Sequence, residues 1–135
     1  MATEPTARGE SRAFTIIGWT LTGLVGAFLA FSASLKFLTP DMVRATMVTL
    51  EWPVQHDLLI GVLEAVAVVL FLFPRTAILG AILETAILGG AIATHLRIGS
   101  PLFSHTLFGV YLGLMVWGGL WFRSAAVRAL IPFRL

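Results

Sequence analysis

Four long apolar segments, separated by short polar connections, make up most of the chain. They cover residues 13–37, 55–73, 76–96 and 102–122. A helix needs about 20 predominantly apolar residues to cross the hydrocarbon core of a bilayer, and each segment is near that length. The pattern therefore predicts an all-α protein, a four-helix transmembrane bundle that forms a single domain over residues 13–135.

The connection between the second and third segments is only the tripeptide FPR at residues 73–75. Such a short turn joins antiparallel helices that lie side by side. In the third segment small residues recur at every fourth position, namely Ala77, Ala81, Thr85, Gly89 and Ala93. Small residues let helix backbones approach closely in a membrane, so this stripe predicts close packing, within the bundle in preference to a contact between copies.

The longest connection, residues 38–53, has the pattern of a short helix and not of a plain loop. Its run TPD at residues 39–41 combines an N-cap residue, a proline at the first helical position and an acid in the first turn. Apolar side chains then share one face. The pattern predicts an interfacial helix over residues 40–51, closing over the mouth of the bundle, with Trp52 as an interfacial anchor.

Composition excludes several classes of function. Apolar residues make up 58% of the chain and charged residues only 12%, against about a quarter in soluble proteins. The net charge of +2 includes no basic patch suited to nucleic acid. The chain has no cysteine, so it cannot form disulfides, attach haem covalently through cysteine or hold an iron–sulfur cluster on its own.

Four membrane crossings place both termini on the same side of the bilayer. Lysines and arginines are divided unevenly between that side and the other. One side has six, namely Arg8, Arg12, Arg75, Arg123, Arg128 and Arg134. The other side has three, namely Lys36, Arg44 and Arg97. Because positive residues are enriched in cytoplasmic segments, we expect both termini in the cytoplasm and the interfacial helix outside it. Residues 1–12, polar and mixed in charge, are expected to form a disordered or interfacial cytoplasmic tail.

Two glutamates, Glu64 and Glu84, lie within apolar runs of the second and third segments. A carboxylate inside a membrane costs a few kcal/mol or more, so both side chains should face the bundle interior. Each lies ten residues from Pro74, one before and one after it, which places them at a similar depth. We expect a buried carboxylate pair in which at least one of the two groups carries a proton at neutral pH. In the alternative, each is a separate hydrogen-bonded packing group.

A second group of polar residues lies at the extracytoplasmic ends of the spans. It comprises His56, Asp57, Thr94, His95, Arg97 and His105. The histidines could ligate zinc, copper or haem iron, but no HxxxH or HxH spacing supports a metal site, and we predict none. The long side chain of Lys36 can either reach inward toward Glu64 or extend to the interface.

The outer half is thus the only part of the predicted bundle with a polar interior, and we place a ligand-binding site there. Its predicted residues are Lys36, Glu64, His95, Arg97 and His105. Glu64 is expected to be the functional carboxylate, because Glu84 is too far from the polar residues of the outer end.

Three runs of sequence resemble the DoxX-like family of small four-helix bacterial membrane proteins. They are FSASLKFLTP, LLIGVLEAVAVVLFLFPRTAILGAILETAILGGAIATHLRIGSP and VWGGLWFR. The resemblance covers nearly the whole chain after residue 12 and implies a multi-pass protein of the bacterial inner membrane. It also marks Lys36, Glu64, His95 and Arg97 as positions of the family pattern. Members of the family are linked to quinone or thiosulfate oxidation complexes and to oxidant resistance, and distant animal relatives look like assembly chaperones or cargo receptors.

Three functions follow as hypotheses. The first is a non-catalytic accessory subunit that binds a quinone-like or other lipophilic molecule in the outer-half pocket, since quinone carbonyls need hydrogen-bond donors set in apolar walls. The second is an assembly partner that packs on another membrane protein or on a second copy. The third is a proton-coupled transporter, which would require a dimer. A stand-alone enzyme is not expected, because the chain has no paired nucleophile and base and no nucleotide-binding loop.

Overall fold

The computed structural model describes residues 6–131, with side chains from residue 12 onward. Its helices are α1 (Thr6–Leu38), α2 (Pro40–Thr49), α3 (Asp57–Leu72), α4 (Ala77–Arg97), α5 (Phe108–Arg123) and α6 (Ala125–Leu130). A 3-10 turn, Val54–His56, leads into α3, and a π-helical turn, Leu102–Thr106, leads into α5. The described residues contain no strand.

Four of these segments are long and apolar enough to cross a membrane. They are Arg12–Leu38, Val54–Leu72, Ala77–Arg97 and Leu102–Arg123. These bounds agree with the four predicted segments, so the predicted all-α fold with four spans is confirmed. Helix α1 begins at Thr6, within the polar segment that precedes the first predicted span.

The four spanning helices form a ring. Helix α1 packs against α3 and α5, and α4 packs against the same two helices, so the bundle interior separates α1 from α4. Helices α3 and α4 are neighbours across the turn at residues 73–76, as predicted from its length. The buried core lies along the axis of the ring and includes Val25, Leu29, Val68, Phe71, Val116 and Leu120.

Close helix contacts depend on small residues at a few positions. A Cβ atom added at Gly80 of α4 would lie 2.1 Å from the backbone nitrogen of Phe71 in α3. A Cβ atom at Gly18 of α1 would lie 2.7 Å from the backbone nitrogen of Arg123 in α5. These two contacts leave no room for a side chain, so they set the distance between the paired helices at the end of the bundle opposite α2.

The predicted small-residue stripe on α4 is buried only in its first half. Ala77 and Ala81 are buried, whereas Thr85, Gly89 and Ala93 are exposed. A step of four residues rotates by about 40° more than one helical turn of 3.6 residues, so a strict four-residue stripe drifts off the interior face. The face that remains inside continues through Glu84 and Leu88.

The predicted interfacial helix is present as α2. Thr39 precedes Pro40 at its start, and the backbone oxygen of Thr39 accepts a hydrogen bond from the Val43 amide at 3.1 Å. The sequence predicts that the Thr39 side chain caps α2, but the structure shows no such hydrogen bond. The hydroxyl of Thr39 instead donates back to the Leu35 carbonyl of α1 at 2.8 Å. After α2 the chain reverses at Glu51, a non-glycine residue with φ of 55°.

Candidate functional site

A cavity of about 520 Å³ occupies the end of the bundle that α2 covers. All four spanning helices contribute to its wall, and α2 forms its roof. Most of the lining is apolar, for example Phe28, Leu63, Ile87, Phe108 and Leu112 in the wall and Met42 and Met47 in the roof. The charged and aromatic polar side chains that reach it are Lys36, Glu64, His95, His105 and Trp52.

Lys36 and Glu64 form an ion pair in the cavity wall. The Lys36 ammonium lies 2.5 Å from Glu64 Oε2, and the two side chains are 19% and 7% exposed. The ammonium also donates to the hydroxyl of Ser32 at 3.3 Å and to its carbonyl oxygen at 3.4 Å. A charge in an apolar wall is stable only when it is paired and hydrogen-bonded. Each of these two residues therefore makes the burial of the other tolerable.

Gly61 makes this ion pair possible. It lies one helical turn before Glu64 on the same face of α3, and a Cβ atom there would be 2.9 Å from Lys36 Cβ and 3.4 Å from Lys36 Cδ. The stem of Lys36 therefore lies in the groove that Gly61 leaves open. Sequence reasoning did not assign Gly61 to the site, although a glycine one turn before a membrane carboxylate was a usable signal.

Two histidines lie together at the cavity. The ring centroids of His95, near the end of α4, and His105, in the π-helical turn, are 5.7 Å apart with the rings at 64°. His95 Nδ1 lies 2.9 Å from Ser100 Oγ, and His105 Nδ1 lies 2.8 Å from Ser104 Oγ. These serine contacts fix the orientation of both rings. His56 does not line the cavity.

Arg97 lies outside the cavity and holds the segment that follows α2. Its guanidinium donates to the Leu50 carbonyl at 2.8 Å and to the Glu51 carbonyl at 3.2 Å. It also lies 3.8 Å from the Glu51 carboxylate. The structure thus separates Arg97 from the other four residues of the predicted ligand site, which all line the cavity. Its contacts are those of a residue that positions the roof.

Trp52 provides a second link between the roof and α4. Its indole Nε1 donates to Thr94 Oγ1 at 2.9 Å, and the same hydroxyl donates to the Gly90 carbonyl at 2.8 Å. The side chain lines the cavity. Trp52 was predicted to be an anchor at the membrane interface, and the structure gives it a direct contact with the site as well.

Glu84 is buried below the cavity and does not line it. Glu84 is fully buried, and neither of its carboxyl oxygens has a hydrogen-bond partner within the described part of the chain. Glu64 and Glu84 are thus both buried, as predicted, but they do not hydrogen-bond to each other. Among residues 12–131, no group of three histidine, aspartate or glutamate side chains is arranged to hold a metal ion.

The model of the DoxX-like family matches residues 20–119. The chain belongs to the DoxX-like family. No curated protein and no solved structure gives a significant match.

The matched range of this DoxX-like protein contains the whole cavity. Lys36, Gly61, Glu64, His95 and His105 all lie within residues 20–119. The N-terminal turns of α1 and all of α6 lie outside that range. The family assignment and the four spanning helices together identify a small multi-pass membrane protein.

Proposed function

We propose that this DoxX-like protein binds a lipophilic molecule with a carbonyl-bearing head group, such as a quinone, in the cavity beneath α2. The observation that carries this proposal is a largely apolar cavity of about 520 Å³ with the Lys36–Glu64 ion pair in its wall. Small-molecule sites have volumes of about 300–1,000 Å³, apolar walls and a few oriented polar groups. The cavity has all three properties.

The polar groups of the cavity suit a carbonyl acceptor. Lys36 makes one short contact, with Glu64, and two longer ones, with the hydroxyl and carbonyl of Ser32. A ligand carbonyl that replaces a Ser32 contact would receive a charge-assisted hydrogen bond while the ion pair stays intact. The imidazoles of His95 and His105 offer further donors on the opposite side of the ring of helices. The apolar wall would hold the ring and the proximal part of a tail.

The proposed role is that of a non-catalytic accessory subunit, which holds such a molecule for a partner membrane protein or for a second copy of the chain. The redox chemistry of a quinone would then belong to the partner. The proposed location is the bacterial inner membrane with both termini in the cytoplasm, on the basis of six positive residues on the terminal side against three on the other. A reporter enzyme fused after Leu135 that is active only outside the cytoplasm would contradict this orientation.

Two adjacent glycines of α4 allow a controlled binding test. Gly90 lines the cavity, whereas Gly89 does not, and a Cβ atom added at either position meets nothing within 4 Å. Gly90→Leu should therefore place a side chain in the cavity, and Gly89→Leu should place the same side chain on the exposed surface of the helix. We expect the wild type and Gly89→Leu to bind decylubiquinone in detergent micelles, and Gly90→Leu to bind it at least tenfold more weakly.

Quenching of tryptophan fluorescence measures this binding. Trp52 lines the cavity, and Trp19, Trp117 and Trp121 do not, so Trp52→Phe should remove most of the saturable quenching. Dodecylbenzene, which has a tail but no carbonyl, controls for partition into the micelle. Equal saturable quenching in the wild type and Gly90→Leu, or equal quenching by both compounds, would refute the proposal.

A further inference from the structure

The positive residues of the two ends of the bundle differ in how they are paired. At the end covered by α2, every lysine and arginine lies within ion-pair distance of a carboxylate. The pairs are Lys36 with Glu64 at 2.5 Å, Arg44 with Asp57 at 3.5 Å and Arg97 with Glu51 at 3.8 Å. Positive charge at this end is therefore neutralised within the protein.

The four described arginines of the opposite end have no carboxylate partner among the residues whose side chains the structure describes. Arg123 donates to the Phe71 carbonyl at 3.2 Å and stacks 4.4 Å above the Trp19 ring. Arg128 donates to the last carbonyls of α5. Arg12 and Arg75 are exposed and form no ion pair with another residue of the range 12–131. By sequence, this end has six arginines against the two glutamates of the first ten residues.

We infer that this end of the bundle binds the phosphate groups of anionic phospholipids. These four guanidiniums, which no described carboxylate neutralises, lie where the spanning helices end, at the depth of lipid head groups, and arginine forks match phosphate oxygens. Trp19 at 45% exposure and Leu130 of α6 at 77% exposure supply apolar surface beside them. This combination of charge and apolar surface favours a lipid over a soluble anion.

Arg12 and Arg75 are the residues with which to test this inference. Neither side chain makes a hydrogen bond with a residue that the structure describes, so Arg12→Gln with Arg75→Gln should leave the bundle intact. Arg44→Gln removes an exposed arginine at the other end and is the matched control. Native mass spectrometry of each purified protein with an equimolar mixture of phosphatidylglycerol and phosphatidylcholine gives the ratio of the two bound lipids.

We expect the wild type and Arg44→Gln to prefer phosphatidylglycerol, and the preference to fall about fivefold for each of the two arginines removed. Replacement of the same two residues by lysine should retain most of it. The preference should also fall when the salt concentration rises from 50 to 500 mM in the preceding incubation, which tests the wild type without any substitution. Equal binding of both lipids by the wild type, or an unchanged preference in the double glutamine variant, would refute the inference. Displacement of phosphatidylglycerol by 10 mM inorganic phosphate would instead show that the arginines bind a soluble anion, and would refute the assignment of a lipid ligand.

Discussion

The Lys36 ammonium of α1 and the Glu64 carboxylate of α3 meet at 2.5 Å in the wall of the cavity. Their contact links two spanning helices at the level of the site. Lys36 lies near the end of α1 that leads into α2, and its stem crosses α3 at Gly61 before the ammonium reaches Glu64, one turn further along α3. The ion pair, the glycine groove and the cavity therefore form one structural unit.

Gly61→Ala should weaken this unit. The new methyl group would lie 2.9 Å from Lys36 Cβ, which is below the van der Waals distance, so Lys36 or the helix must shift. We expect a loss of about 1–3 kcal/mol in stability, the usual cost of overpacking, together with weaker quinone binding. Thermal unfolding in detergent measures the first effect. Gly23→Ala, where nothing lies within 4 Å of the added atom, should show neither effect.

The two buried glutamates should respond in opposite ways to replacement by leucine. Glu64→Leu leaves the Lys36 ammonium without its carboxylate, and removing one partner of a buried ion pair costs about 3–5 kcal/mol. Glu84→Leu removes two carboxyl oxygens that have no hydrogen-bond partner in the described chain, so we expect stability to stay level or rise. Denaturation of the two variants in parallel tests this. A Glu84→Leu variant that is the less stable of the two would show that Glu84 has a stabilising partner in the membrane.

Much of the fold could be predicted from the sequence because its signals are local. The length of an apolar run decides whether a helix can span a bilayer, and the run TPD marks the start of α2 without reference to the rest of the chain. From the sequence, the contact between Lys36 and Glu64 is only one of two alternatives, since the lysine side chain could also extend to the interface. Its geometry depends on how α1 crosses α3, and a single sequence gives no crossing angle.

The role of a site residue is hard to predict from the sequence when it depends on a connection between helices. Arg97 was grouped with the ligand site because it is one of the polar residues at the outer end of the predicted bundle and matches a position of the family pattern. In the structure its side chain, in the last turn of α4, donates to the carbonyls that follow α2. The position of those carbonyls depends on the reversal at Glu51, a residue in a left-handed conformation that composition does not signal. Helix α6 was also missed, because six residues are too few for a periodic pattern.

Glu64→Gln should strongly weaken quinone binding while the protein stays folded. The glutamine amide oxygen can still accept a hydrogen bond from Lys36, so the ammonium is not left without an acceptor. The charge that holds the ammonium in the cavity wall is lost, however, and we expect at least a tenfold weaker affinity. Glu84→Gln does not alter the cavity lining and should change affinity less than twofold. Wild-type affinity in both variants would refute the assignment of Glu64 as the functional carboxylate.

Arg97 should control how fast a ligand enters and leaves the cavity. Its guanidinium ties the backbone after α2 to α4 through two carbonyls, while it does not line the cavity itself. Arg97→Gln should therefore release the roof and leave the ligand contacts unchanged. Hydrogen bonds from a half-exposed arginine are worth about 1 kcal/mol, so amide hydrogen exchange in residues 40–52 should accelerate about fivefold.

The same substitution should raise the association and dissociation rates of decylubiquinone together, so that its equilibrium affinity changes little. Arg75→Gln, an exposed arginine at the other end of the bundle, is the control and should alter neither exchange nor rates. If Arg97 instead contacts the ligand, Arg97→Gln would raise the dissociation rate alone and weaken the affinity in proportion. Stopped-flow fluorescence of Trp52, which lines the cavity and donates to Thr94, distinguishes the two results.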